Sequence, residues 1–262
     1  MLIIINPTHD QTSLQAAKIV ANQVRKNRRT VLGLATGKSP LGLYQELIRL
    51  HREEGLDFSG VTTFNLDEYV GIPKDHQQSF HTQIHQTFLD QINIKAENVH
   101  IPDGSAMDLQ RSCEDYEKAL RDAGGIDLQI LGIGRSGHIA FNEPISSLVS
   151  RTRLKTLSKE TILDNEKIGE GIPTVAITMG IGTILEARQM LLLASGSAKA
   201  EAIAKSIEGP LTASVSSSAL QLHSDVRVLL DEAAAANLVH REYYDRVIEQ
   251  TAKFSPERLG LI

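Results

Sequence analysis

The sequence predicts an α/β fold: an open, mostly parallel, Rossmann-like sheet with helices on both faces. Short apolar runs alternate with stretches of helical period along the whole chain, the pattern of a parallel sheet covered on both sides. Two of those runs, 61–66 and 126–133, end in acid–base residues. That is where a ligand crevice lies in such a sheet, beyond the carboxyl ends of the strands. No Pro/Gly/Ser linker divides the 262 residues, so 1–262 reads as a single domain.

The elements follow in order. Residues 2–5 form a strand and 13–26 a helix, with Leu14, Ala17, Ile19, Val20 and Val24 as its inner face. A strand at 31–35 leads to a helix over 40–53 that turns Leu43, Leu47 and Leu50 inward. Pro40 suits the first helical position, where a missing N–H costs nothing. Strand 61–66, helix 79–90, short strand 98–101, helix 108–122 and strong strand 126–133 come next. Strands at 174–178 and 190–194 enclose a short helix, 181–187. The chain closes with helix 197–207, a loop over 209–218, strand 226–230 and a helix over 231–251.

Hydrophobic residues make up 41% and charged residues 23%, ordinary values for a soluble enzyme. A net charge of −5 gives no footprint for nucleic acid, so a small anionic substrate must be held by local cations. The one cysteine, Cys113, cannot form an internal disulfide and suits a reducing, cytoplasmic compartment. No apolar run approaches the ~18 residues that span a bilayer, which argues against a membrane partner. The N-terminus lacks a basic leader and reads as a first strand, not a signal peptide.

Gly132-x-Gly134-x-x-Gly137 has the spacing of a dinucleotide fingerprint, but that motif must open a helix, and Asn142-Glu143-Pro144 follows too soon. The glycines instead allow a substrate to approach the backbone. Thr36-Gly37-Lys38-Ser39-Pro40 resembles the end of a nucleotide P-loop, with the wrong glycine spacing. A strand end, a Thr/Gly/Lys/Ser turn and a helix start still make an oxyanion cradle suited to one phosphate monoester; the plainer reading is a cap made by Ser39. Asp67 and Glu68 follow a strand, and a carboxylate there can abstract a carbon-bound proton if its pKa is tuned. His138 and Glu143, across a glycine-rich turn, form an oriented acid–base pair. Lys199, near the start of a helix, would complete a phosphate clamp, against the common fate of surface lysine. Arg151, Arg153 and Lys155 alternate, and on a strand they share one face, either as a solvated edge or as a second anion site. His76, His81 and His85 lack a companion cysteine, and the sequence assigns no metal site.

Two long motifs, Phe64-Asn65-Leu66-Asp67-Glu68-Tyr69-Val70-Gly71 and Gly137-His138-Ile139-Ala140-Phe141-Asn142-Glu143-Pro144, together resemble the glucosamine-6-phosphate deaminase (isomerase) family. The likeness runs from the first strand to Asp231-Glu232. It takes in Leu34-Ala35-Thr36-Gly37-x-Ser39-Pro40, the stretch 146–157 and Leu220-Gln221-Leu222-His223. The related 6-phosphogluconolactonases share a glycine–His turn but lack the Phe-Asn-Glu-Pro continuation.

The resemblance implies a cofactor-free conversion of glucosamine 6-phosphate to fructose 6-phosphate and ammonia, in N-acetylglucosamine catabolism. His138, positioned by Glu143, would open the sugar ring, and Asp67 would move the C2 proton to C1. Thr36, Gly37, Lys38, Ser39 and Lys199 would hold the phosphate. Two positions depart from the family. Ser136 stands where members carry Asp or Asn to orient the histidine, and Lys167 stands in an ungapped match where a phosphate-binding arginine is usual. Ser146, Arg153, Lys155 and Thr156 match positions that bind the activator N-acetylglucosamine 6-phosphate in allosteric members, which are homo-hexamers. The rivals are a phosphosugar lactonase or plain isomerase, which release no ammonia, and a non-catalytic sugar-phosphate sensor.

Overall fold

The structure, a computed structural model, describes residues 1–165 and 173–260. Along the chain run β1 (Leu2–Asn6), α1 (His9–Lys26), β2 (Val31–Leu34), α2 (Leu41–Glu54), β3 (Thr62–Asn65), β4 (Asp67–Tyr69), α3 (Phe80–Thr87), β5 (Val99–His100) and α4 (Leu109–Asp122). They are followed by β6 (Leu128–Leu131), β7 (Arg153–Thr156), α5 (Lys159–Asn165), β8 (Val175–Thr178), α6 (Ile181–Leu185), β9 (Gln189–Ala194), α7 (Ala200–Ile207), β10 (Val226–Asp231) and α8 (Arg241–Phe254).

Seven strands pair in the order β1-β10-β9-β6-β2-β3-β5. Every pair is parallel. In β2, β6 and β10 every residue is buried, inward and outward pointing alike. Such strands need cover on both faces, which the surrounding helices supply. The order reverses between β2 and β6: β2 hands the chain to β3 on one side, while β6 leads to β9 on the other. A reversal of this kind opens a crevice at the strands' carboxyl ends.

A second sheet corrects the expectation for 174–178. That strand, β8, is not in the parallel sheet but is the centre of a three-stranded antiparallel sheet, β4-β8-β7. The chain peels away just after β3. Leu66 N–H still bonds the Leu34 carbonyl at 3.1 Å, and the Leu66 carbonyl then takes Met179 N–H at 2.7 Å. In β7 burial alternates along the strand, the mark of a sheet with one face covered. Register places Asp67 opposite Thr178 and Thr178 opposite Arg153, so all three project from one face.

Two helices differ from the reading of the sequence. The last one starts at Arg241, not 231. The Asp231 carboxylate takes Ala234 N–H (2.8 Å) and Gly196 N–H (3.0 Å), and Glu208 takes Val239 and His240 N–H and the Tyr244 hydroxyl. Asp231 takes Ala234 N–H locally and Glu208 takes its donors across the fold, and both draw backbone N–H groups that an alanine-rich helix would have used internally. In α1, capped by Thr8, Leu14 is exposed, while Ala16, Ala17, Val20 and Val24 carry the buried face.

Candidate active site

The turn after β2 lies at the reversal. Gly37 takes φ +89°, with open space where a side chain would project. Gly37 and Lys38 are exposed and Thr36 and Ser39 half-buried. Pro40, not Ser39, holds the cap position of α2 and makes no side-chain cap bond. The capping reading of Ser39 is therefore not realised. A Cβ built on Gly132, just past β6, would sit 3.6 Å from Ser39 Oγ, so the turn and the next loop are in contact.

That next loop carries His138. No helix follows Gly137, as the sequence required. The loop folds back on itself through Gly134 N–H to His138 O (2.8 Å) and Gly137 N–H to Gly134 O (3.1 Å). A Cβ on Gly134 would lie 2.1 Å from the His138 ring. Gly134 therefore admits the imidazole, a correction to the role expected of this one glycine. Ser136 Oγ contacts His138 Nδ1 at 2.8 Å, and Glu143 Oε2 stands 3.8 Å from the same nitrogen. Glu143 Oε1 accepts Ser158 N–H at 3.1 Å, while Oε2 is buried without a hydrogen-bond partner among the described residues. The expected Glu143–His138 pair is thus a charge contact, and Ser136 makes the hydrogen bond.

Ala140 (φ +49°) and Ile145 (φ +71°) take left-handed conformations on either side of Glu143. Such residues cost on the order of 1–3 kcal/mol and need surrounding structure to hold them. Asn142, fully buried, donates to the carbonyls of Ile139 (3.1 Å) and Met179 (2.8 Å), and accepts from Arg153 Nη1 (2.9 Å). Phe141 N–H bonds Thr178 Oγ1 at 3.0 Å, which seats the loop on the small sheet's face that carries Asp67. Sequence reasoning gave no role to Asn142, Thr178 or the buried Ser216 that bonds this loop. Three consecutive serines, 216–218, were the available signal, since buried hydroxyls must find partners.

Asp67 is only 7% exposed. Burial, helped by the negative Glu68 next to it, pushes its carboxyl up to about 8. Glu68 is spoken for: Oε1 takes Tyr69 and Phe80 N–H (2.7 and 3.0 Å), and Oε2 takes the Ser79 hydroxyl and His81 N–H (2.7 and 2.8 Å). Of the two adjacent carboxylates, Glu68 is the one bound to the start of α3.

Lys199 is half-buried at the start of α7, beyond β9 and hence next to the His138 loop in strand order. Lys167 lies outside the described residues. Arg151 leaves the group of alternating cations, because its guanidinium is paired with Glu117 and Glu186 (both 2.5 Å). Arg153, Lys155 and Thr156 do lie on one strand, β7, and Ser146 is buried close to Glu143, whose carbonyl takes its N–H at 3.1 Å. His81 and His85 stack at 4.5 Å, and His85 bonds Asp90 at 2.8 Å. Among the described residues no group of three or more potential ligands converges on a metal position.

A profile described as glucosamine-6-phosphate isomerases/6-phosphogluconolactonase matches residues 8–227. A glucosamine-6-phosphate deaminase of Thermoanaerobacter sp. (strain X514) is 49% identical over 239 residues, 90% of this chain and 94% of that one. A solved structure of a monomeric glucosamine-6-phosphate deaminase superposes with a TM-score of 0.89 at 44% identity, over 90% of this chain and 100% of the other. A 6-phosphogluconolactonase of Trypanosoma brucei superposes with a TM-score of 0.73 at 21% identity, over 91% of this chain and 98% of that one. At that identity the fold is what is shared.

Proposed function

The chain belongs to the family of glucosamine-6-phosphate isomerases and 6-phosphogluconolactonases, and we propose that it is an isomerising deaminase that turns glucosamine 6-phosphate into fructose 6-phosphate and ammonia. The observation that carries this is positional. An imidazole, an oxyanion cradle and a buried carboxyl follow the carboxyl ends of three neighbouring strands, β6, β2 and β3.

The phosphate docks at Thr36, Gly37, Lys38 and Ser39, with Lys199 closing from the β9 side. Lys167, by the family match, adds a further cation. Binding the far end of the sugar fixes the reacting end, which is where a cofactor-free enzyme gains rate. Ser136 and Glu143 both address Nδ1 of His138, which assigns proton exchange with the sugar to Nε2. His138 takes the proton of the anomeric hydroxyl and delivers one to the ring oxygen, opening the ring. Asp67, ionised in the productive complex, takes the C2 proton and gives an enolamine. It returns a proton to C1, and the C2 imine hydrolyses with release of ammonia. A lactonase has no use for a base at a carbon-bound proton. The buried Asp67 and the near-half identity to a deaminase both support the deaminase reading.

Activation by N-acetylglucosamine 6-phosphate is the second reading, with Ser146, Arg153, Lys155 and Thr156 as its site. The Arg153–Asn142 bond supports it, because an anion drawn to Arg153 would bear on the residue next to Glu143. The solved relative is a monomer, whereas the allosteric assembly implied by the resemblance is a hexamer. A hyperbolic rate curve from a monomer, unchanged by the activator, removes this reading. The single buried Cys113 supports a cytoplasmic setting, and no helix among the described residues is long and apolar enough to cross a membrane.

The test of the main reading is coupled detection of both products from glucosamine 6-phosphate. Ammonia and fructose 6-phosphate in equal amounts are expected, abolished in Asp67→Asn. Lactone hydrolysis in place of ammonia release, or binding without turnover, overturns the reading.

A further inference from the structure

We propose that Ser217 is a positioning residue for His138 and that, through Ser206, it ties the helix at the phosphate end of the site to the ring-opening end. The proposal rests on the function proposed above. Its starting point is a grip on the His138 loop from outside it. Ser217, fully buried, gives both its N–H (3.0 Å) and its hydroxyl (2.6 Å) to the carbonyl of Gly137, the residue just before His138. Ser216 gives its hydroxyl to the Asn142 carbonyl (2.7 Å) and accepts Ile139 N–H (3.4 Å). The peptides on both sides of the imidazole are therefore held by one pair of serines.

The other side of Ser217 faces α7. Its hydroxyl is in hydrogen-bond contact with that of Ser206. Ser206 in turn reaches the Ala202 carbonyl at 2.6 Å, within the helix that Lys199 precedes. Each hydroxyl has one proton to give. Three contacts call for those two protons: Ser206 to Ala202, Ser206 with Ser217, and Ser217 to Gly137. If Ser206 turns to Ser217, Ser217 is able to bond Gly137, whose carbonyl then has two donors. If Ser206 stays with Ala202, the contact between the two hydroxyls is filled only when Ser217 turns to Ser206, and Gly137 then keeps the N–H alone. The state of a serine in α7 thereby sets how firmly the peptide before His138 is held. The imidazole packs directly on Gly134 within the same turn, so a small rotation of that peptide re-aims the ring.

Phosphate docking at the start of α7 bears on the helix that carries Ser206. The relay gives that event a route to the acid–base group, with every member named and no member in contact with substrate. Ser217 is thus a positioning residue and not a catalytic one.

The test uses the full chain with Ser217→Ala, Ser206→Ala and the double substitution. Kinetics on glucosamine 6-phosphate are measured together with the His138 imidazole resonances, titrated with pH in the absence and presence of inorganic phosphate. Losing one neutral hydrogen bond in the transition state predicts that Ser217→Ala lowers kcat about fivefold with little change in KM, and shifts the His138 titration. Ser206→Ala, favoured in a helix, is expected to keep its fold and to lose the response of the His138 resonance to phosphate. The double variant is expected to be no slower than Ser217→Ala, because both act on one relay. Wild-type kcat and His138 titration in Ser217→Ala, a phosphate response that survives in Ser206→Ala, or losses that multiply would each overturn the proposal. The resonance measurement needs no turnover. A wild-type protein that releases no ammonia therefore defeats the functional reading and leaves the resonance arm of this test to decide the proposal.

Discussion

Ser136 holds Nδ1 of His138 at 2.8 Å, while the Glu143 carboxylate stands a further ångström off, at 3.8 Å from the same nitrogen. The ring is held by a neutral hydroxyl, and the anion that would favour its charged form stands farther off. These two duties fall to different residues here, so they are separable by mutation.

Replacing Ser136 with Asp puts a carboxylate at hydrogen-bond distance and merges the duties. The imidazolium gains a close counter-charge, so the imidazole limb of the kcat/KM profile is expected to move up by about one pH unit. Ser136→Ala removes the aiming bond without adding charge, and the expected result is a lower kcat with the limb in place. A profile indifferent to both substitutions would show that Ser136 has no part in ring opening.

Asp67 makes a prediction about stability as well as rate. Its carboxyl rises from 3.8 to about 8 on folding, so between those values the folded protein binds the extra proton. Where the folded state binds more protons, stability falls as pH rises. The loss is complete above about pH 8 and absent at pH below 3.8. Asp67→Asn removes this penalty, so its melting temperature should exceed that of the wild type by at least ~3 °C at pH 9 and approach it at pH 4. The same substitution should lower kcat by about 10²–10⁴-fold, the usual worth of a general base. Thermal melts at the two pH values check the sign, since an equal shift at both would mean that the carboxyl is not the cause.

Two glycines near the site have different reasons to be glycine, and alanine distinguishes them. At Gly134 a methyl meets the His138 ring at 2.1 Å; at Gly37 it meets nothing within 4 Å, and only φ +89° resists it. Gly134→Ala should displace the imidazole and cost about 1–3 kcal/mol of stability, as overpacking does. Gly37→Ala should cost about 1–2 kcal/mol through backbone strain alone. The discriminating measurement is the His138 proton resonance, expected to move in the first variant and to stay in the second.

The parts of the molecule that the sequence made legible are those written locally. The runs at 31–35, 61–66 and 126–133 announced themselves by apolar continuity, and the turns after them by glycine, which is why Asp67, the 36–39 turn and His138 were found without coordinates. The small sheet was not legible, because β4, β8 and β7 are three or four residues each and come from distant segments. Arg151 looked equivalent to Arg153 by alternation; what separates them is Glu117, far back in the chain on α4, and nothing local marks that pairing. The start of α8 failed similarly, since Glu208 takes the N–H groups of Val239 and His240 only after the chain has folded.

Glu68 supplies the last prediction, because it acts on Asp67 while bonded elsewhere. Its two oxygens receive four donors from Tyr69, Ser79, Phe80 and His81, so it is fixed in place, and its charge is the lesser of two causes that raise the Asp67 carboxyl. Glu68→Gln keeps the shape and removes the charge. The larger cause, burial, remains, so the Asp67 limb of the rate profile should fall by about one pH unit and not return to the ordinary carboxylate range. The amide presents N–H where a carboxylate oxygen received N–H, which should cost about 1–3 kcal/mol of stability through an unsatisfied donor. At high pH, where Asp67 is ionised in either protein, the two rates should converge. A variant that remains folded but stays slow at every pH would place Glu68 in the chemistry itself; a limb that does not move would mean its charge is not felt at Asp67.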